Sequence, residues 1–454
     1  MFSLMFPSML MPLISTMSRV ALPIIRDEFV LTADVTAWVS AAFTLPFMLL
    51  MPVYGRLSDG VDPRRLILMG TVIYAVGTIL MMSAQQVSGA MFGNVVLGLG
   101  VAGMMPLGMS LNSSLFNERD RGKALGTWST IGPTTGFVGP FIAGFVAAAW
   151  GWRETYFPPL LVSAVAFIVI WIRVPSRTSL RGQTRAYLKS FDWVGFVLLA
   201  TSLSCFVFFL SSRAITSVAP MRDWRLMTVS VVCFAAFWMW ERSRTNPFVS
   251  TRILTNLLFL RSTFCASTRM MAMGGLGFLI PLYLVDIHHL EPAELGAMLV
   301  LNSGAMALVT RVGGGLADRW GTRLPASMGL MIQISVMVVF WILDENASLW
   351  SIGAGLAYHG IGAGLMLASL HRYVMGTIEE THRGSAAGVY SMLRFVGVLI
   401  GTSLSGVVLQ ANLDQGLSVI ASYQETFLML AIFPVAGVAV AQTLRENTMQ
   451  ETGA

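Results

Sequence analysis

Gly55-Arg56-Leu57-Ser58-Asp59-Gly60-Val61-Asp62-Pro63-Arg64-Arg65 closes one apolar run of the chain. Gly314-Gly315-Leu316-Ala317-Asp318-Arg319-Trp320-Gly321-Thr322-Arg323 closes another, in the second half of its 454 residues. Each sets glycine, leucine, aspartate and a basic end where a hydrophobic helix meets a charged turn. A helix–turn–helix element repeated in an apolar chain implies duplicated membrane halves, the build of many secondary transporters. Glycine in such a turn lets two helix ends approach closely. Asp59 and Asp318 are placed to accept hydrogen bonds from a neighbouring helix N-terminus or arginine. With Gly55, Arg64, Gly314, Arg319, Gly321 and Arg323 they make two candidate conformational gates. The plainer alternative is a rigid turn with no switching role.

Composition points the same way. The chain is 55% hydrophobic and only 11% charged, with a mean hydropathy of +0.70, outside the range of soluble domains of this size. Cys205, Cys233 and Cys265 lie in apolar stretches without metal-ligand spacing, which suits packing. The first apolar stretch carries Pro7, Pro12 and Arg19 and lacks a basic leader, so it reads as a retained first span rather than a signal peptide. No nucleophile–base constellation, phosphate loop or metal cluster is present in the sequence pattern, which argues against an enzyme, a cofactor or a bound metal.

Apolar runs of bilayer-crossing length number about fourteen. Six precede residue 174, two follow, and six more run to the C-terminus. The expected fold is therefore all-α and integral to the membrane, with two pseudo-symmetric six-helix halves: 1–174, an insert of loop and two helices over 175–250, and 251–454 with a short tail. A cytoplasmic N-terminus puts most of the 29 Lys and Arg residues inside. Arg173, Arg177, Arg181, Arg185 and Lys189 then share one cytoplasmic loop, while Asp27, Glu28, Asp286, Glu291, Glu294, Asp344 and Glu345 lie outside. The net charge of +6 is membrane topology, not a nucleic-acid patch. Both termini are expected to be cytoplasmic, in a bacterial inner membrane.

The two turns resemble the loop signature G-x-L-A-D-R-x-G-x-R of the major facilitator superfamily. The second copy fits closely; the first keeps Gly55, Leu57 and Asp59 but lacks the middle Arg and Gly. Six spans plus two plus six resembles the fourteen-helix drug:proton antiporter branch. Val20-Ala21-Leu22-Pro23, Gly139-Pro140 with Gly144, Phe191-Asp192-Trp193-Val194-Gly195 and Pro281-Leu282-Tyr283-Leu284 resemble that branch too. The resemblance implies a rocking transporter in which Gly139, Pro140 and Gly144 form the antiporter motif. Prolines there also bend the helix on purely physical grounds. Where that branch usually carries an aspartate in its first span, this chain has Ile14. Its following asparagine is here Arg19, and the arginine of its fourth span is here Asn94.

No acid is expected deep in a span, so the ionisable groups there are basic: Arg19, Arg269, Arg394 and His359. An arginine at the centre of a helix costs about 2.5–3.5 kcal/mol on insertion scales, so these side chains must face the interior. Arg19 and Arg269 occupy the first span of each half. A guanidinium suits carboxylate or phosphate, because its planar fork gives two parallel hydrogen bonds. Arg19, Arg269, Arg394 and Asn94 are thus candidate substrate-binding residues; snorkelling of Arg19 towards Arg26 is the alternative. His359 is the candidate proton carrier, having the one unperturbed pKa near neutral; a packing role beside Tyr358 competes with that. The resulting expectation is a secondary transporter exporting amphipathic organic anions by alternating access. A proton-coupled multidrug antiporter and a non-transporting membrane receptor are the alternatives. The expected partners are the bilayer and a small amphipathic anion, with a periplasmic adaptor protein as a candidate and no nucleic acid.

Overall fold

The computed structural model describes residues 2–115, 131–176, 184–211, 218–244, 247–249, 251–377 and 383–444. The first half contains α1 (Phe2–Glu28), α2 (Ala33–Gly60), α3 (Pro63–Met82), α4 (Val87–Val101), α5 (Met104–Leu115), α6 (Ile131–Trp150) and α7 (Phe157–Arg173). A short α8 (Thr184–Ser190) leads into the inserted hairpin, α9 (Trp193–Ser211) and α10 (Trp224–Ser243). The second half runs through α11 (Thr251–Thr255), α12 (Leu257–Asp286), α13 (Pro292–Trp320), α14 (Arg323–Ile342), α15 (Leu349–Gly376), α16 (Arg383–Asp414) and α17 (Val419–Ala441).

Among the described residues, 13 helical segments are long and apolar enough to cross a membrane, one of them joining α4 to the start of α5. The 20-residue α10 is a further helix of spanning length. Arg225 near its start and Glu241 and Arg242 near its end lower its apolar character. The chain is a multi-pass membrane protein with six helices of spanning length, two, then six. Large apolar side chains such as Phe141, Phe145, Trp150, Ile172, Leu308 and Trp350 are exposed on its outer surface, as lipid-facing residues are. Helix ends sort by charge: Glu28, Asp286, Asp344 and Asp414 mark an acidic end, and Arg64, Arg173 and Arg323 the opposite, basic end. Arg177 and Arg181 lie outside the described residues.

Both motif copies are more helical than the sequence suggests. The helices run on to Gly60 and to Trp320, so the turns are confined to the last residues of each motif. The turns are also built differently. Gly321 leaves α13 at φ 79°, a left-handed value that glycine adopts without strain. The first copy has no glycine there: Val61 is extended, Asp62 accepts a hydrogen bond from the Arg64 N–H, and Pro63 opens α3.

Two helix pairs join the halves, α2 with α16 and α6 with α13. Both seams depend on small residues. A Cβ on Gly144 would stand 2.5 Å from the Pro292 carbonyl oxygen and 3.1 Å from the Gly296 Cα. One on Gly406 would meet the Ala33 carbonyl oxygen at 2.7 Å. The inserted hairpin lies along the α2–α16 seam. Trp38 of α2 stacks on Phe208 with ring centroids 4.9 Å apart, and Val207 of α9 shares a small core with Met48 and Leu399. Reciprocal 2.9 Å hydrogen bonds between the Ser202 and Ser230 hydroxyls and each other's carbonyls pin α9 to α10.

At the acidic end a third contact crosses between the halves. Arg26 of α1 donates two parallel hydrogen bonds, of 2.7 and 2.6 Å, to Asp286 of α12. Tyr423 of α17 donates to the same carboxylate at 2.5 Å. Within the first half, Arg153 binds Glu28 at 2.6 Å and the Ala84 carbonyl at 2.7 Å.

Candidate functional site

Of the four ionisable residues expected inside the spans, Arg269, His359 and Arg394 come from α12, α15 and α16 of the second half, and Arg19 comes from α1 of the first. Arg269 comes from α12 and is 2% exposed. Its Nε donates to the Ala363 carbonyl of α15 at 3.1 Å, and Nη1 contacts the Met270 sulfur at 3.3 Å. Arg394 of α16 lies over the Tyr390 ring, 5.3 Å from its centroid, and its buried Nε has no hydrogen-bond partner. His359 of α15 is 1% exposed. Its Nδ1 is 3.3 Å from the Asn302 amide of α13, and its Nε2 is 3.3 Å from the Gln333 amide of α14.

A neutral imidazole offers one donor and one acceptor, which matches two side-chain amides when one of them presents its oxygen. The Gln333 side-chain oxygen is buried without a partner, so Gln333 is the amide free to turn. His359 thus lies between α13 and α14, within reach of one side-chain amide from each.

Arg19 does not snorkel towards Arg26. Its guanidinium rests against α12, where a Cβ on Gly277 would be 3.2 Å from Cζ and from one terminal nitrogen. The missing side chain at 277 makes room for it. It forms no hydrogen bond or ion pair among the described residues, and none of the ion pairs there involves Arg269 or Arg394. Among the described residues, then, none of these three guanidinium groups has a carboxylate partner.

The other candidates sit elsewhere. Asn94, 3% exposed, donates to the Val39 carbonyl of α2 at 3.1 Å, and its side-chain oxygen is unpartnered. It ties α4 to α2 and is not in contact with the arginines. Gly139 packs against Thr16 of α1, and Pro140 presents its carbonyl to Gly296 across the α6–α13 seam. At the basic end, Gly55 has open space around it, so the expected close approach is not there. It falls instead at Gly60, covered by the Tyr187 ring, and at Gly313, pressed on the Leu365 backbone. Gly314 meets only the Ala368 methyl, at 3.5 Å. Arg64 lies over Trp171, 5.6 Å from its centroid, and Arg323 binds Gln442 at 2.6 Å, both within their own halves. Arg319 is exposed. The side chains of Asp59 and Asp318 lie outside the described residues.

Sequence reasoning missed the Arg26–Asp286–Tyr423 contact. The opposite charges at the ends of α1 and α12 were a signal, but only as topology. A cleft of about 580 Å³ opens above that contact, lined by Arg26, Leu31, Leu282, Asp286, Gln410 and Tyr423; the arginine cluster does not line it.

Comparison with known proteins fits this architecture. The Multidrug resistance protein Stp of Mycobacterium tuberculosis is 25% identical over 399 residues, 87% of this chain and 73% of Stp. Multidrug resistance protein 3 of Bacillus subtilis is 24% identical over 392 residues, 83% of this chain and 72% of its own. The Tetracenomycin C resistance and export protein of Streptomyces glaucescens is 24% identical over 413 residues, 89% of this chain and 74% of its own. A crystal structure of a peptide transporter in complex with alafosfalin superposes with a TM-score of 0.69 over 98% of this chain and 95% of that one; at 12% identity it bears on the fold alone. The sequence pattern of the Major Facilitator Superfamily matches residues 4–251 and 262–452. Duplicated six-helix halves, the paired turns and this match lead to one conclusion: the chain belongs to the major facilitator superfamily.

Proposed function

We propose that this transporter exports amphipathic organic anions by alternating access. The observation that carries the reading is the Arg19 guanidinium, which rests against Gly277 of the other half and has no hydrogen bond or ion pair among the described residues, where Arg269 and Arg394 have no ion pair either. Unpaired guanidinium groups in a membrane interior are costly, and a bound anion offsets that cost. The chain's 30 Met and 27 Phe residues offer adaptable apolar surface for the rest of an amphipathic molecule. The resistance and export relatives support outward movement.

In this reading the halves, 1–174 and 251–454, rock about the α2–α16 and α6–α13 seams, and 175–250 is the insert. The basic end faces the cytoplasm with both termini, in the plasma membrane of a bacterium. The Arg26–Asp286 pair closes the outer side, and the turns around Asp59 and Asp318 gate the inner one. A periplasmic adaptor would then meet the acidic end. His359 serves as a neutral clamp in this scheme rather than as a proton carrier.

The test is a thermal-shift screen of the purified protein against anionic and cationic amphiphiles, followed by transport of the hits in vesicles. Anions should stabilise, and Arg19→Gln should weaken them by about 2–5 kcal/mol, as when one partner of a buried charge pair is truncated. A cationic dye that is the better substrate, with export unchanged in Arg19→Gln, overturns the anion reading. The multidrug antiporter, which the names of the relatives favour, then takes its place.

A further inference from the structure

The inserted hairpin holds a pair of acids, each with one buried oxygen, that anion transport does not use. Glu241, near the basic end of α10, is 1% exposed. The Val249 N–H donates to its Oε2 at 3.3 Å, whereas Oε1 is buried without a hydrogen-bond partner. Asp192, just before α9, is arranged in the same way. Its Oδ1 accepts from the Trp240 indole at 2.8 Å and from the Gly195 N–H at 2.9 Å, and its Oδ2 is buried and unpartnered.

The two orphan oxygens converge. A Cβ on Gly195 would stand 2.6 Å from Glu241 Oε1 and 2.8 Å from Asp192 Oδ2, so both oxygens border the one space that a side chain at 195 would fill. Two carboxylates sharing a buried gap disfavour each other's charge. Neither orphan oxygen has a donor, which leaves desolvation uncompensated. A proton supplies both needs: it turns one oxygen into a donor and removes one charge.

The charged group facing Glu241 from the neighbouring helix is Arg56 of α2, but its guanidinium is committed to the carbonyls of Pro247 and Phe248, the latter at 3.2 Å. Arg242 and Arg244, at the end of α10, lie over Trp238 and Trp240. Lys189 of α8 is exposed. From the described elements around the gap, none of these cations reaches either orphan oxygen.

We propose that Asp192 and Glu241 hold a single proton between them, forming a proton-binding site in the insert that is linked through Arg56 to the first gate turn. The link is continuous. Glu241 holds Val249, the adjoining Pro247 and Phe248 carbonyls hold Arg56, and the Arg56 carbonyl accepts from the Tyr187 hydroxyl at 2.7 Å. Phe248 is clamped between Phe191 and Phe196, with ring centroids 5.9 and 5.8 Å away. Losing the proton sets two negative charges across the gap, drives Glu241 from the 247–249 segment and releases the anchor at the end of α2. This inference stands apart from the nature of the substrate.

Infrared spectroscopy and thermal melting of the purified full-length protein test it. At neutral pH the wild type should show a carboxylic-acid C=O absorption that disappears as the pH is raised, and its Tm should fall over the same range. The sign follows because the folded state keeps a proton that the unfolded chain gives up, so stability is greatest at low pH and fades as pH rises. Glu241→Gln, which carries a permanent donor, and Asp192→Asn should lose the absorption, and Glu241→Gln should melt with a flatter pH profile. Gly195→Ala, which places a methyl in the gap, should abolish the absorption by separating the oxygens. No such absorption in the wild type at neutral pH overturns the proposal even if every variant fails to fold. So does an absorption and pH profile unchanged in Glu241→Gln. Stabilisation by sodium at constant pH, in place of acid, makes the site one for a metal cation and overturns it as well.

Discussion

Arg19 and Arg26 lie seven residues apart on α1, about two helical turns, so both present themselves to α12. Their situations differ in one respect. Arg26 meets Asp286 in a bidentate pair that Tyr423 completes; Arg19 meets the bare backbone of Gly277. The paired arginine joins the halves without any ligand. One helix face thus carries an ion-paired arginine at its end and, two turns deeper, one with no ion pair among the described residues.

The sharpest way to break this comparison is to neutralise each arginine in turn. Arg26→Gln leaves Asp286 partly buried with only Tyr423, and should lower stability by about 2–3 kcal/mol, at the low end for a broken ion pair because both partners keep some solvent exposure. Arg19→Gln removes an unpaired cation and should leave stability within about 0.5 kcal/mol of wild type. Thermal melts that drop equally for the two variants would end the distinction.

A smaller effect sharpens the recognition argument. Arg19→Lys keeps the charge and loses the planar fork, so an anionic ligand should bind about 1–2 kcal/mol more weakly than to wild type, yet more tightly than to Arg19→Gln. Equal affinity in Lys and Arg forms, measured by calorimetry, would mean that charge alone matters. At the gate, Asp318→Asn should slow vesicle transport while changing equilibrium affinity less than about tenfold, or 1.4 kcal/mol. A larger loss of affinity moves Asp318 from gate to site. Least of all, Gly277→Ala sets a methyl 3.2 Å from the Arg19 guanidinium. The long side chain can yield, so the affinity change should stay below about 1 kcal/mol; a larger loss would show that Arg19 is held rigidly.

The fold was largely legible because its signals are local. Apolar length, the two Gly–Leu–Asp turns and the charged ends are each contained within one helix or one turn, and they yield the spans and their pairing into halves. The weakest span by composition, α10, is the one whose ends carry Arg225, Glu241 and Arg242. Glycine roles were less legible. Gly55 has the motif's sequence and open space around it, while Gly277 and Gly195 carry no motif and make room for Arg19 and for the Asp192–Glu241 gap. Whether a Cβ is tolerated depends on what another helix places opposite, which no local pattern encodes.

The sequence by itself determined a membrane-embedded chain of paired six-helix halves, and singled out interior arginines whose desolvation demands an explanation. Hydropathy and charge act residue by residue, so they can be read in one dimension. Only the tertiary structure decided which arginine has a partner: Asp286 is 260 positions from Arg26 in the chain, and Gly277 is on that same distant helix. It likewise set His359 between the Asn302 and Gln333 amides, and brought Asp192 and Glu241 to one space beside Gly195. Such pairings are set by helix packing across the molecule, where a side chain's chemistry is settled by the atoms opposite it.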